Sequence, residues 1–220
     1  MATVVITGAN RGIGLEFVKQ YLAKGDKVIA LCRNTSDELS QSEATVIDNV
    51  DVGNPECLQK VLPTLSDIKI DLLINNAGVL ANESLEDMSS ATLEYQFRVN
   101  AMGPVLVTQM LHKQFNKGAK VALITSRMGS VTDNTSGGRY GYRMSKAALN
   151  IAGMSLAHDL KPQQVAVAIL HPGYVQTEMV NNGGEITAAV SVERLMQRIE
   201  GLTLNNSGTF WHSNGEILPW

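Results

Sequence analysis

The 220-residue chain predicts an α/β fold, a doubly wound parallel sheet of about seven strands in one domain. Three observations carry this. Short β-branched runs alternate with stretches of helical periodicity along the whole sequence. The strand-like runs are apolar throughout, as in strands buried on both faces. No repeat, low-complexity tract or linker interrupts the alternation, and the length suits one domain.

The elements follow in order. Thr3–Thr7 is the first strand, and a glycine turn leads to a helix over Ile13–Lys24, with Ile13, Phe17, Val18, Tyr21 and Leu22 at helical spacing. Gly25 stops that helix. Lys27–Cys32 and Ala44–Asn49 are strands. Asn54–Ser66 is a helix with an Asn cap and Pro55 at its first position. Asp71–Asn75 is a strand, and Ser90–Asn116 is a long helix bent at Gly103-Pro104. The strand Lys120–Thr125, the helix Tyr142–Asp159 and the strand Val165–His171 come next. A helix over Ser191–Ile199 and a seventh strand over Thr209–His212 close the chain. Right-handed crossovers would put ligands at the C-terminal ends of the strands.

Composition narrows the function. The net charge of −3 is small and spread out, with no basic block, so nucleic acid is not an expected partner. Apolar residues make up 44% and charged residues 18%, ordinary for a soluble protein. Cys32 and Cys57 lack metal-ligand spacing and are too few for a disulfide framework. His112, His158, His171 and His212 show no ligand spacing either, so no metal is expected. The N-terminus runs straight into a strand without a charged or long apolar segment. Neither a leader nor a membrane anchor is expected, and the cytoplasm is the expected compartment.

The first turn reads Thr7-Gly8-Ala9-Asn10-Arg11-Gly12-Ile13-Gly14. It follows a strand and opens a helix, the context in which glycines let a phosphate approach free backbone N–H groups. By itself it also fits a glycine-rich turn without a ligand. Further motifs follow: Asn75-Asn76-Ala77-Gly78 at the end of the fourth strand, Asn100 in the long helix, Ser126 after the fifth strand, and Tyr142-Arg143-Met144-Ser145-Lys146. Pro172-Gly173 then follows the sixth strand, with Thr177 beyond. This ordered set resembles the short-chain dehydrogenase/reductase family, a Rossmann-type fold. Arg127–Lys146 and the ending Leu218-Pro219-Trp220 resemble its C-factor and sniffer branch of small carbonyl reductases.

The resemblance implies an NADP(H)-dependent oxidoreductase acting on a small-molecule carbonyl substrate. It implies Tyr142 as general acid, Ser126 orienting the substrate oxygen, Lys146 holding the nicotinamide ribose, and Asn100 completing a proton relay. Tyr142 and Lys146 are four apart and share a helix face, where an ammonium lowers a phenol's pKa. Ser126 stands sixteen residues before Tyr142, a longer spacing than the family usually has, so Ser130 is a rival for the serine role. Gly8, Asn10, Arg11, Gly12, Ile13, Asn76, Ala77 and Gly78 would frame the cofactor, and Pro172, Gly173, Val175 and Thr177 would brace the nicotinamide.

Cofactor choice is read at the second strand. Cys32 stands where NAD-binding relatives have an acid. Arg33, and Arg11 in the glycine loop, can pair with a 2′-phosphate; both also fit solvated surface arginines. Asp51 resembles the family's adenine-contacting Asp, with Val52 beside it, and also fits a helix N-terminal acid. The segment 178–190 is expected to be a short, mobile substrate lid, because Asn181-Asn182-Gly183-Gly184 favours a turn. Apolar residues along Met102–Leu111 and Ala147–Leu156 suggest a homodimer, or ordinary core. A second reading of the branch is a C-factor-like signalling or NADP(H)-binding protein in which turnover is secondary. A nucleotide-sugar epimerase is disfavoured, because only 43 residues follow Thr177.

Overall fold

A computed structural model describes residues 1–220, apart from the side chain of Leu62. Seven strands form one sheet: β1 (Thr3–Thr7), β2 (Lys27–Leu31), β3 (Thr45–Ile47), β4 (Ile70–Asn75), β5 (Phe115–Ile124), β6 (Ala166–His171) and β7 (Phe210–His212). Their order is β3-β2-β1-β4-β5-β6-β7, and every neighbouring pair is parallel. The chain reverses direction across the sheet between β1 and β4, and the ends of these two strands open the crevice that ligands of such sheets use.

Seven α-helices cover the two faces: α1 (Gly12–Ala23), α2 (Asp37–Ser40), α3 (Pro55–Leu65), α4 (Ser90–Phe97), α5 (Gly103–Leu111), α6 (Tyr140–Asp159) and α7 (Ala188–Glu200). Successive strand residues face opposite ways, so each strand feeds two cores. Val4, Ile6, Ala30, Ile74 and Leu170 pack with Phe17 and Val18 of α1 and with Val192, Leu195 and Ile199 of α7. Val5, Ile29, Leu73, Leu123 and Ile169 pack on the other side with Leu58 of α3, Val107 of α5 and Leu149 of α6.

The long helix expected over Ser90–Asn116 is divided. α4 gives way to a π-helical turn at Arg98–Met102, then α5, then a 3₁₀ turn at His112–Gln114. The bend expected at Gly103-Pro104 is therefore a wider turn just before it. Pro104 has no N–H, so the Asn100 carbonyl lacks its α-helical donor four residues on. Residues 115 and 116 belong to β5, which starts five residues earlier than expected and is irregular there. Its regular pairing resumes at Lys120, opposite Leu72.

Smaller differences lie at the ends of elements. β3 is confined to Thr45–Ile47, and α6 starts two residues early, at Tyr140. α7 starts at Ala188 because the Thr187 side chain accepts the Val190 N–H. The segment expected to be a loop over 178–190 is thus shorter, and it opens with a 3₁₀ turn at Glu178–Val180.

Phe17 is completely buried against the sheet. Phe17→Ala is expected to lower the unfolding free energy by about 3–5 kcal/mol, read as a shift of the urea midpoint with little change in slope.

Candidate active site

The site begins where β1 and β4 end side by side. The Thr7 hydroxyl accepts the backbone N–H groups of Asn76 and Ala77, at 3.0 and 3.1 Å. The Asn76 side-chain amide donates back to the carbonyls of Thr7 and Gly8, both at 3.1 Å. This stitch holds the glycine loop against the loop after β4. It leaves no room at Gly14, where a Cβ would lie 2.1 Å from the Gly8 carbonyl oxygen.

Beside the stitch lies a cleft of about 460 Å³. Gly8, Asn10, Arg11, Gly12 and Ile13 form its floor, and Asn76, Ala77 and Gly78 one wall. Arg33, Asp51 and Val52 lie at one end, and Tyr142, Lys146, Pro172 and Thr177 at the other. Two of the residues expected in the cofactor site lie off this cleft. Val175 is buried and bridges to Ile186, and the Cα face of Gly173 meets Ile186 and His212. Residues that the motifs did not flag also line the cleft, among them Val50, Val79, Val99 and Thr125. They are apolar or small, and only the topology shows that they converge.

Each cationic candidate already has a partner. Arg11 pairs with Glu178 at the start of the 3₁₀ turn, so it ties the glycine loop to the lid segment. The expected reach of Arg11 toward a 2′-phosphate competes with this contact. Arg33 donates to the Tyr95 hydroxyl at 2.7 Å, a neutral partner that leaves its charge unmatched. No acid stands at the end of β2, where Cys32 is buried. Asp51 accepts the Gly53 N–H at 2.9 Å and so closes a turn ahead of α3, while Asn54 caps that helix.

The polar cluster sits where α6 crosses the ends of β5 and β6. Gly129 makes this possible, because a Cβ there would lie 2.7 Å from the Lys146 carbonyl carbon. The turn after β5 is thereby pressed onto α6, and Ser126 is brought up to Tyr142. Ser126 accepts the Met128 N–H at 3.1 Å, and its hydroxyl acts on the Tyr142 phenol. Ser130, the rival, is buried and accepts the Asp133 N–H at 3.1 Å. Asn100 is fully buried: its carbonyl accepts the Val79 N–H, and its amide donates to the Val79 carbonyl and the Ser145 hydroxyl, at 2.8, 2.8 and 3.0 Å. It clamps the loop after β4 onto α6.

A family model described as short chain dehydrogenase matches residues 2–187. The chain belongs to the short-chain dehydrogenase family. The 1-hydroxy-2-glutathionyl-2-methyl-3-butene dehydrogenase of Rhodococcus sp. (strain AD45) is 37% identical to it over 100% of both chains. C-signal of Myxococcus xanthus is 44% identical over 69% of this chain and 93% of its own. Among solved structures, the carbonyl reductase Sniffer of D. melanogaster superposes with a TM-score of 0.91 at 28% identity, over 100% of both chains. An NADPH-bound carbonyl reductase from chicken fatty liver superposes with a TM-score of 0.90 at 26% identity, over 100% of this chain and 99% of its own.

Electrostatics in this short-chain dehydrogenase correct one expectation. Lys146 was expected to lower the Tyr142 pKa, yet burial raises the phenol above its ordinary value, opposed by the Ser126 hydroxyl and the Arg139 charge. Lys146 lies 5.6 Å from the centre of the Tyr142 ring and donates to the Ile124 carbonyl at 2.9 Å. Its ammonium thus faces the ring and a carbonyl, not the phenol oxygen. Burial lowers the Lys146 pKa itself to about 8.

Behind this cluster, at the end of β6, burial lowers the His171 pKa to about 3, with His212 adding to the effect. The two rings meet edge to face at 4.9 Å. The unfolded chain binds a proton at this residue below about pH 6.5, and the folded chain does not until about pH 3. The contribution to stability is therefore complete above pH 6.5 and lost on acidification. Between pH 7 and 5 the loss is about 2 kcal/mol. Melting temperatures at the two pH values should converge in His171→Asn relative to the unmodified protein, by roughly 4–8 °C.

Proposed function

We propose that this short-chain dehydrogenase is an NADPH-dependent carbonyl reductase of small aldehydes, ketones or quinones, with the whole of 1–220 as one reductase domain. Tyr142 and Lys146 at one end of a glycine-floored cleft, with the Ser126 side chain at Tyr142, carry this reading. The cleft fits the cofactor. The floor is backbone that a side chain at Gly14 would obstruct, and the far end holds Arg33, which no carboxylate pairs among the described residues, with Cys32 in place of an acid at the end of β2. The NADPH-bound state of the chicken liver relative supports the same choice.

Bound NADPH supplies the hydride. Ser126 hydrogen-bonds the substrate oxygen and fixes it near Tyr142. A phenol held above its ordinary pKa is fully protonated at neutral pH, and Tyr142 gives that proton to the oxygen as charge develops. Lys146, still mainly charged at pH 7 and anchored on the Ile124 carbonyl, would hold the nicotinamide ribose. The Asn100 backbone carbonyl, which Pro104 deprives of its α-helical donor, can hold a water through which a proton returns to Tyr142. The segment 178–190, tied to the glycine loop through Arg11 and Glu178, acts as a short lid and leaves the substrate side open to several carbonyl shapes.

Similarity to C-signal favours a second reading, an NADP(H)-binding or signalling protein in which turnover is secondary. Loss of NADPH absorbance with a panel of carbonyls separates the two. Tyr142→Phe should bind NADPH normally and reduce carbonyls about 10²–10⁴-fold more slowly. Full activity in that variant would show another acid. Arg33→Ala should weaken NADPH relative to NADH by about tenfold to a hundredfold, and equal kinetic constants for the two cofactors in the unmodified protein would reject the cofactor choice.

Self-association is also proposed. Leu149 is core, but Phe97, Met102, Met144 and Ile151 on α4, α6 and the turn after α4 are exposed. Sedimentation at micromolar concentration is expected to show a dimer of the 23.7 kDa chain, and a single monomeric species would reject it.

A further inference from the structure

Arg139 stands three residues before Tyr142; two features of its placement oppose folding, and a third leaves its charge unmatched by any carboxylate. Its backbone is left-handed, with φ 50° and ψ 46°, a conformation disfavoured for any residue with a Cβ. Its cation lies at the N-terminal end of the twenty-residue α6, where the helix dipole is already positive. Among the described residues, no carboxylate oxygen lies within 4.0 Å of its guanidinium. Glu83 is close in the fold but committed: its two carboxylate oxygens accept the Gln96 amide and the Gly141 N–H.

The arginine is nevertheless held in a defined place. Its backbone N–H donates to the Glu83 carbonyl at 2.8 Å. Its Nε donates to Asn82 Oδ1 at 3.1 Å, and its Nη1 lies 3.9 Å from Met128 Sδ. Met128 is the residue whose N–H binds Ser126. The guanidinium therefore spans the loop after β4 and the loop after β5, at the rim outside the cleft lining, three residues before Tyr142 and in contact with the residue that binds Ser126. Among the described residues, Nη2 donates to no acceptor in the protein, and the side chain is exposed. The neighbouring arginines are occupied: Arg127 pairs with Asp133 and Glu216, and Arg143 binds the Ser136 hydroxyl and the Gly137 and Gly138 carbonyls.

A fixed, unneutralised guanidinium beside a reaction centre is matched by a planar anion, which it can grip with two N–H groups. Strained backbone and unpaired charge concentrate where a ligand compensates them. We propose that Arg139 is a specificity residue that holds the carboxylate of an anionic carbonyl substrate while the carbonyl oxygen lies at Ser126 and Tyr142. The inference rests on the carbonyl-reductase reading and names the substrate class of that site. The charge of Arg139 already acts on Tyr142, so the two residues share one local field.

The test compares 4-carboxybenzaldehyde with its methyl ester, which has the same ring and aldehyde but no charge. The unmodified protein with NADPH should favour the acid in kcat/KM by about tenfold or more. Arg139→Gln should abolish that ratio even if it slows both substrates, and Arg139→Lys, which keeps the charge without the fork, should retain only part of it. Raising the salt concentration should shrink the ratio in the unmodified protein. Equal kcat/KM for acid and ester, or an unchanged ratio in Arg139→Gln, would overturn the proposal. If neither aldehyde is reduced, the reductase reading fails, and calorimetric binding of 4-carboxybenzaldehyde to the NADP⁺ complex still decides the role of Arg139. Binding weakened about tenfold in Arg139→Gln supports it, and equal binding overturns it.

Discussion

Thr7 and Asn76 join the ends of two parallel strands that belong to opposite halves of the sheet. Between them, one hydroxyl and one side-chain amide satisfy four backbone groups at the point where the chain changes direction across the sheet. Backbone polar groups at strand ends that face a dry crevice are costly when unpaired. Satisfying them from within leaves the loops free of any need for water or for further chain to cover them. The cleft can then be lined by glycine backbone on one side and by the Asn76–Gly78 segment on the other, a few ångströms apart and rigid.

The chemistry-bearing end of the cleft depends on a second close approach, of the turn after β5 onto α6 at Gly129. Once α6 is fixed there, its i, i+4 pair Tyr142 and Lys146 cannot turn away. Asn100 and Glu83 fix the same helix from the other side through the loop after β4. The loops after β4 and β5 are thereby locked to one helix by buried polar groups and close packing. The result is a site whose electrostatics are set by exclusion of water more than by paired charges. A phenol is kept protonated, an ammonium is brought toward neutrality, and a histidine behind them stays uncharged at physiological pH.

Charges at the rim behave differently. Arg11, Arg33 and Arg139 are all exposed or at the cleft edge, and each has a different kind of partner. Arg11 has a carboxylate from the lid segment, Arg33 a neutral phenol, and Arg139 an amide oxygen and a thioether sulfur. An arginine with a carboxylate is partly neutralised, whereas one with neutral partners keeps its field. Arg11 and Arg33 line the cleft, whereas Arg139 stands outside its lining, at the start of α6.

The sequence by itself determined the fold class, the seven strands and their alternation with helices, because buried parallel strands and amphipathic helices write distinct periodicities. It also located the glycine loop, Asn75–Gly78, Ser126 and the Tyr142–Lys146 pair, since each is local in the chain. Tertiary structure alone decided what depends on distant residues. The partition of the long helix into α4, a π turn and α5 follows from Pro104 and from packing at Val52, which periodicity does not record. Which of Ser126 and Ser130 comes up to Tyr142 follows from which side of one turn meets α6. The pairing of Arg11 with Glu178 joins residues 167 positions apart, and the rise of the Tyr142 pKa follows from how deeply the helix is buried. Local patterns fix which residue types stand in which elements, but burial, charge pairing and the direction of a side chain arise only when separate elements meet.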